Sequence, residues 1–258
     1  MSAQETPGTV AVKLPCGFIH EGKLYNDACI IPMTGRVRKL LARPDNRRNP
    51  VKVIDALLMQ CVVSVGPIDQ MKQSVLSSMF VADRDFLVVE IRKISLGNEV
   101  NTNLKCDACN ASLGMTVDLE RDVPVRKLDD IDAELEDDML VFRLANKSLG
   151  VDAKFRLPTG SDQNTVAALS QKNPVEANYV LYRNCLLEWD GKSSDNLPAN
   201  FFEDLSLPVI DFIDESFMEN MPGPDLRVPA ECYECGKEIV LSLASSDFLF
   251  RVPKKERT

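Results

Sequence analysis

The sequence predicts an α+β fold made of two pseudo-repeats, residues 1–128 and residues 129–258. Three observations support it: alternating segments typical of β-hairpins, apolar stripes at helical spacing, and a Cys-x-x-Cys pair in each half. Each pseudo-repeat is therefore expected to contain a β-hairpin, helices and a zinc knuckle between two strands. A shared site of four cysteines is expected to join the two halves.

Each pseudo-repeat is predicted to open with a hairpin. Residues 9–15 alternate like a strand, a glycine-containing loop follows, and residues 29–32 form a second short strand. In the second half, residues 139–145 and 151–157 are the expected strands, with a turn at 146–150. The two hairpins therefore occupy the same place in each half.

Two Asn-Pro pairs predict the start of a helix in each half. Asn is a preferred N-cap and Pro a preferred first helical residue, so Asn49-Pro50 and Asn173-Pro174 are both strong start signals. An apolar stripe at helical spacing follows Pro50. Residues 62–68, which contain a Gly-Pro pair, are expected to end this helix.

A further helix is predicted over residues 86–91. Asp83 is expected to cap it, and Gly97 is expected to close it. The segment is rich in β-branched residues, which leaves a strand as the alternative.

Landmarks of the first half return in the second half in the same order. The offset runs only from 124 (173 − 49) to 126 (232 − 106) residues. The recurring positions are Gly35/Gly160, Asn49/Asn173, Leu57/Leu181, Cys61/Cys185, Asp85/Asp211 and Cys106/Cys232. A fixed order with so little drift predicts an internal duplication.

Four cysteines have the spacing of metal ligands: Cys106, Cys109, Cys232 and Cys235. Two Cys-x-x-Cys pairs supply the four thiolates of a closed, tetrahedral structural zinc site. The residue after each pair must tolerate a positive φ angle, and Asn110 and Gly236 suit that position. We therefore predict one structural Zn²⁺ shared between the halves.

Other interpretations of the cysteines stay open. Each pair could hold its own metal with ligands from a partner chain, or the pairs could be unrelated reduced thiols. The remaining cysteines, Cys16, Cys29, Cys61 and Cys185, lie singly among apolar residues and are typical of buried small side chains.

Composition and charge narrow the class of protein. The 258 residues are 45% hydrophobic and 27% charged, which is typical of a globular protein. No apolar run reaches the roughly 18 residues of a membrane helix, and residues 1–7 do not resemble a signal peptide. We therefore expect a cytosolic protein whose cysteines stay reduced.

The charge differs between the halves. The net charge of −9 divides into +3 for residues 1–128, which carry 17 Lys/Arg and 14 Asp/Glu, and −12 for residues 129–258, which carry 13 and 25. An acidic chain is a poor general ligand for nucleic acid, because such binding depends on neutralising phosphates. Contacts with other proteins are the more natural expectation.

Two charged segments stand out. Residues 36–41 are predicted to form one or two helical turns. Six cations lie within residues 36–48: Arg36, Arg38, Lys39, Arg43, Arg47 and Arg48. They could bind a phosphate or an acidic protein surface, or form a solvated face. Residues 129–138 carry seven carboxylates and are expected to form a solvated linker or helix. No motif of a reaction centre is present, so the residues predict a non-enzymatic scaffold without a small-molecule substrate.

The order of these elements resembles a known family. It comprises the Asn-Pro helix, the segment from Asp83 to Lys93, the first knuckle followed by Val117-Asp118-Leu119, and a Leu-Pro-Thr-Gly sequence at Leu157. Together they resemble the T-even-type baseplate hub and hub-assembly proteins of contractile-tailed phages. The resemblance covers most of the chain and rests on order more than on one motif. It does not imply the zinc, which rests on the cysteine spacing.

This resemblance implies a non-enzymatic structural or assembly protein of the baseplate hub. Its partners would be other tail and baseplate proteins, and it would be found in the host cytoplasm during assembly and in the virion tail. The alternative is a cytosolic zinc-ribbon adaptor that binds nucleic acid or an acidic protein through residues 36–48. An enzyme would require a metal site with an open water position.

Overall fold

The computed structural model of the protein describes residues 8–43, 49–243 and 249. The first half contains β1 (Val10–His20), β2 (Lys23–Ile30), α1 (Gly35–Leu41), α2 (Pro50–Cys61), β3 (Val62–Val65), α3 (Gln73–Ser78), α4 (Val81–Leu96), β4 (Glu99–Lys105), β5 (Ser112–Asp118) and β6 (Val125–Arg126). The second half contains β7 (Ala133–Glu136), β8 (Met139–Asn146), β9 (Val151–Arg156), α5 (Gly160–Ser170), α6 (Pro174–Cys185), β10 (Leu186–Trp189), β11 (Lys192–Ser193), α7 (Leu207–Glu219), β12 (Gly223–Pro224), β13 (Arg227–Glu231) and β14 (Glu238–Ser242). The mixture of helices and antiparallel sheets agrees with the predicted α+β class.

The strands form two larger sheets and three small ones. The first larger sheet has the order β1-β2-β3, and the second has the order β11-β10-β9-β8-β7. The small sheets pair β4 with β5, β13 with β14, and β6 with β12. All of these strand pairs are antiparallel. None of the helices in the described part of the chain is long and apolar enough to cross a membrane.

Both predicted hairpins are confirmed. Strands β8 and β9 match their expected bounds closely, and β1 pairs with β2. The first hairpin is longer than predicted, because the expected loop after residue 15 is part of β1. Its tight turn lies at Glu21 and Gly22, which have φ angles of 50° and 73°. An irregularity in the register between Lys13 and Phe18 separates two paired stretches.

Both Asn-Pro helix starts are confirmed. The Asn49 side chain accepts hydrogen bonds from the backbone N–H groups of Val51 and Lys52, and Asn173 accepts one from Glu176. The predicted end of the first helix is wrong. The helix stops at Cys61, and Val62–Val65 form strand β3 beside β2. The β-branched valines of this segment suit a pleated sheet better than a helix end.

The helix predicted over residues 86–91 is confirmed as the central part of α4, and Gly97 closes it with a φ angle of 84°. Asp83 is not its cap. Phe80 holds that position without a side-chain hydrogen bond, and Asp83 lies in the first turn. Its Oδ1 accepts a hydrogen bond from the backbone N–H of Cys16, with an N–O distance of 2.8 Å. Asp83 therefore attaches α4 to the irregular part of β1.

The acidic segment 129–138 differs from its prediction. After a short 3-10 helix at Leu128–Asp130, residues Ala133–Glu136 form the edge strand β7 beside β8. Charged side chains on a solvent-facing edge strand disfavour pairing with other chains. The segment is solvent-exposed as expected, but part of it belongs to a sheet.

Two large apolar cores lie within the described residues, beside a small third cluster around the cysteines, and both large cores contain residues from both halves. The first core surrounds α2 and α4 and includes Val228 and Leu243 from the second half. The second core lies between the five-stranded sheet and α7, and it includes Phe80 and Ala82 from the first half. Trp189 is buried in the second core.

A buried arginine joins the halves within this packing. Arg84 is 0% exposed and pairs with Asp55, with an Nη2–Oδ1 distance of 2.6 Å. Its Nη1 donates to the carbonyl of Leu76 at 2.9 Å, and its Nε donates to Gln163 of the second half at 3.1 Å. Gly160 packs directly against this guanidinium. We call these five residues the arginine junction.

Candidate metal centre

The two Cys-x-x-Cys knuckles lie at the tips of two-stranded ribbons. Cys106–Cys109 connect β4 to β5, and Cys232–Cys235 connect β13 to β14. The last paired residues below the tips are Lys105 opposite Ser112 and Glu231 opposite Glu238. Each ribbon therefore presents two thiols on one tight turn.

The backbone of the two knuckles is nearly the same. In the first, the N–H of Asn110 donates to the carbonyl of Cys106 at 2.8 Å; in the second, the N–H of Gly236 donates to Cys232, also at 2.8 Å. Asn110 and Gly236 have φ angles of 59° and 69°, as their positions predicted. Residues that tolerate the left-handed region are needed here, because the turn folds back on its own first carbonyl.

The fold brings the four sulfur atoms together. Cys106 Sγ lies 3.7 Å from Cys235 Sγ, and Cys109 Sγ lies 3.7 Å from Cys232 Sγ. All four Sγ atoms are within 4.8 Å of one another. Four sulfurs placed tetrahedrally at the usual zinc–sulfur distance would be about 3.8 Å apart. The cluster is therefore compatible with a metal site without large movement of the chain.

Contacts between the ribbons support this arrangement. The hydroxyl of Tyr233 donates to the carbonyl of Ser112 at 2.9 Å, and the Lys237 Nζ lies 2.9 Å from the Asp107 carboxylate. Both contacts cross from one half of the chain to the other. We call the four cysteines the knuckle junction.

The four cysteines differ in burial and in the pKa of their thiols. Cys106 and Cys232 are buried among Leu104, Leu113 and Ile239, whereas Cys109 and Cys235 are exposed. The backbone N–H groups of Cys109 and Ala108 lower the pKa of the Cys106 thiol to about 7. The pKa values of the Cys109 and Cys235 thiols are raised, because desolvation and hydrogen bonds with neighbouring cysteines outweigh the backbone N–H groups of Ala111 and Lys237. A thiol with a lowered pKa ionises more easily, and the thiolate is the form that binds metal.

The donor set limits the chemistry of the site. Thiolate ligands favour zinc, copper(I) and iron–sulfur clusters over magnesium or calcium. Four protein ligands fill a tetrahedral site and leave no position for water or substrate. If occupied by one tetrahedral ion, the site would therefore be structural.

The predicted basic residues lie on a different element. Arg36, Arg38 and Lys39 belong to α1, and Arg43 follows it; all four side chains are exposed. None forms an ion pair with another residue of the described ranges. Val37 and Leu41 face inward and anchor the helix. Arg47 and Arg48 lie outside the described residues.

Sequence reasoning missed the supporting contacts of the candidate site. The pair Asp107 and Lys237 was not evident, since Asp107 follows the first cysteine of one knuckle and Lys237 lies two residues after the second cysteine of the other. The position of Tyr233 in the second knuckle gave no signal that its hydroxyl would reach the other ribbon. The arginine junction was also missed, because its members are far apart in sequence.

Comparison with known proteins gives a match to one protein family. The family model described as T4 bacteriophage base plate protein matches residues 30–250, which is most of the chain. No curated protein and no solved structure gives a significant match.

Proposed function

The chain belongs to the T4 bacteriophage base plate protein family, and from this premise we propose that it is a non-enzymatic structural or assembly protein of the baseplate hub, stabilised by a structural zinc ion. Family membership makes it a phage baseplate protein that meets other tail proteins. The hub location, the zinc and the role in assembly in the host cytoplasm are the proposal. The proposal of a zinc site rests on the convergence of four sulfur atoms from two knuckles.

Zinc would act here as a link between distant parts of the chain. Cys106 and Cys232 are 126 residues apart, and the unfolded chain has no preformed site. Binding free energy at such a site contributes directly to folding. The two ribbons need this contribution, because an isolated pair of strands is marginally stable in water. Cysteines kept reduced in a cytosol would be free to bind the ion.

An internal duplication explains why each half supplies half of the site. The order hairpin, α1, α2, β3, α4 and ribbon in the first half parallels hairpin, α5, α6, β10, α7 and ribbon in the second. The sheet order β1-β2-β3 also parallels β8-β9-β10. These parallels support pseudo-repeats at residues 1–128 and 129–258, which share the proposed zinc site.

The basic residues of α1 are the proposed contact surface for a partner. Four exposed cations without a described ion partner retain their full charge for an acidic protein surface. The same feature favours the second candidate function, a zinc-ribbon adaptor that binds nucleic acid. Binding to DNA or RNA that falls steeply with added salt would support the adaptor.

Elemental analysis of the purified chain tests the zinc. One zinc per chain is expected, and either Cys106→Ser or Cys232→Ser should abolish it. Cys29→Ser is the matched control, because Cys29 lies outside the cluster and should leave the metal content unchanged. Two metals lost independently, or none in the wild-type chain, would contradict a shared site.

Electron microscopy of tails from a phage that lacks this chain tests the hub role. Incomplete hubs are expected, with recovery when the wild-type chain is supplied. Complete baseplates in its absence would rule out the proposed role. Immunodetection in purified particles would then separate a component of the finished tail from an assembly factor.

A further inference from the structure

Helices α4 and α7 hold matched places in the two halves but have different surroundings. They begin 126 residues apart, at Val81 and Leu207. In α4, Val89 and Arg92 are buried, with 1% and 3% exposure. The residues 126 positions later, Glu215 and Met218, are exposed. Helix α4 is thus enclosed, whereas α7 has an open outer face.

The second half of the chain covers the beginning of α4. The backbone N–H of Val81 donates to the carbonyl of Pro158 at 3.0 Å, and Gln163 of α5 accepts from Arg84. Gly223 lies so close to Ala82 that an added Cβ would come within 3.0 Å of it. Helix α5 and the β12 segment therefore cover the first turn of α4, whereas Leu207, the matching first residue of α7, is exposed.

The outer face of α7 combines apolar and acidic side chains. It consists of Leu207, Asp211, Glu215, Met218 and Glu219, and we call it the acidic face. Their spacing places them along one side of the helix. Leu207 is 72% exposed and Met218 44% exposed. The three carboxylates form no ion pair with the rest of the described chain.

Two arginines lie near the end of the acidic face, but both have other partners. Arg126 donates to the carbonyls of Met218 and Glu219, each at 2.8 Å. Arg227 pairs with Asp225 and also donates to the Met218 sulfur. Glu215 lines a surface cavity together with both arginines, whereas Asp211 does not.

Helix α1 holds the place in the first half that α5 holds in the second. Thr34 and Thr159 are their N-caps, and Gly35 and Gly160 are their first residues. Helix α5 is used to cover α4, but the outward side of α1 is solvent-exposed. That side carries Arg36, Arg38 and Lys39, with Arg43 just beyond the helix, and we call these four residues the basic face.

We propose that the basic face of one copy of this chain docks on the acidic face of a second copy. The contact covers the exposed start of α7 as α5 covers the start of α4, and four cations meet three carboxylates. The inference rests on the proposed duplication and names a partner for the proposed contact surface. Because the two faces differ, the contact is head-to-tail, and assembly need not stop at two copies.

The contact should be weak and dependent on salt. A seven-residue helix is about 10 Å long, so it covers much less than the roughly 1,600 Å² of a standard interface. Ion pairs at such a rim are screened within a Debye length of about 10 Å at 0.1 M salt. We therefore expect association at high protein concentration and low ionic strength.

Sedimentation of the full chain with charge-reversed variants tests the proposal. Arg36→Glu/Arg38→Glu/Lys39→Glu changes the charge of the basic face from +4 to −2, and Asp211→Lys/Glu215→Lys changes that of the acidic face from −3 to +1. Each variant alone should associate at least tenfold more weakly than the wild type at about 50 mM salt, because like charges then meet. An equimolar mixture should recover association, since every contact between different variants pairs opposite charges.

Matched controls use exposed charges on other surfaces. Lys147→Glu lies in the β8–β9 turn and Glu134→Lys on β7, and both should sediment like the wild type. A wild-type chain that stays monomeric in low salt, or association unaffected by either reversal, would overturn the proposal. Neither result would touch the zinc content or the hub phenotype, so failure here is distinguishable from failure of the proposed function.

Discussion

The knuckle junction and the arginine junction both connect the first half of the chain to the second, but they do so with different atoms. The knuckle junction gathers four sulfurs at the tips of two small ribbons, and two of its cysteines are exposed. The arginine junction buries one guanidinium completely and satisfies it with Asp55, Leu76 and Gln163. One junction lies at the surface and the other in the interior.

Because they use different atoms, the two junctions have different requirements. The arginine junction is complete within the chain, because donors and acceptors are all protein atoms. The knuckle junction as proposed needs a metal ion and reduced thiols, so its strength depends on the surroundings. The arginine junction should therefore connect the halves whether or not metal is bound. The knuckle junction should do so conditionally, only when metal is bound, so the two connections can be weakened separately.

Removal of the proposed zinc is expected to have the largest effect. A chelator, or Cys106→Ser, should lower the free energy of unfolding by several kcal/mol, since metal binding contributes to folding. Hydrogen exchange should increase first in β4, β5, β13 and β14, while α4 stays protected. Cys29→Ser should keep the wild-type response to the chelator. An unfolding midpoint that the chelator leaves unchanged would contradict the conditional role of the knuckle junction.

Arg84→Met should have the next largest effect, about 3–5 kcal/mol of lost stability. Loss of one partner leaves Asp55 largely buried without its cation, although Gln73 still donates to it at 2.7 Å. Urea denaturation measures the change, and the zinc content should stay at the wild-type level. Arg143→Met is the control: its ion pair with Asp152 is exposed, so the cost should be about 0–1 kcal/mol. Equal losses in both variants would argue against the arginine junction.

Gly160→Ala should cost about 1–3 kcal/mol by overpacking the arginine junction. An added Cβ would lie 2.3 Å from the carbonyl oxygen of Leu76 and 2.9 Å from Arg84 Nη1, which neither backbone nor a fixed guanidinium can accept without shifting. Gly35→Ala is the matched control at the corresponding place in α1, where nothing lies within 4 Å. Thermal melts of both variants should therefore differ clearly, and equal melting temperatures would contradict this difference between the halves.

The sequence predicted the knuckle junction because its information is local. Each pair has ligand-type residues at a fixed spacing, followed by Asn110 or Gly236 at the positive φ angle. The matched offsets then suggested that two half-sites meet. The predicted identity of the metal and the pseudo-repeats themselves stay predictions.

The arginine junction was beyond sequence reasoning for a physical reason. Arginine is rarely fully buried, so nothing in the sequence marks Arg84 as a core residue. Its partners Asp55 and Gln163 lie 29 and 79 residues away, and nothing local marks them. Edge strand β7 could have been predicted, because Ala133 and Leu135 alternate with Glu134 and Glu136 in the period-2 pattern of a strand. The seven carboxylates of residues 129–138 favoured a solvated linker or helix instead.

The last expected effect depends on pH and concerns Asp83, which lies beside Arg84 and faces the other way, toward β1. Burial raises the pKa of Asp83 to about 8, from an ordinary value near 3.8. Its Oδ2 has no hydrogen-bond partner among the described residues, which suits a protonated carboxyl better than a carboxylate. Between about pH 4 and pH 8 the folded chain therefore holds a proton that the unfolded chain has released. Folding stability should fall as pH rises through this window, by up to about 1.4 kcal/mol per pH unit.

Asp83→Asn isolates this contribution. The amide keeps an oxygen that can accept from the Cys16 N–H but does not ionise, so the fall in stability between pH 5 and pH 8 should be smaller in the variant than in the wild type. Urea midpoints at several pH values measure both slopes, and other titrating groups cancel in the difference. Parallel curves would mean that Asp83 is ionised in the folded chain. The interior would then have to stabilise a further charge beside the Arg84–Asp55 ion pair, and its contrast with the partly exposed knuckle junction would be weaker.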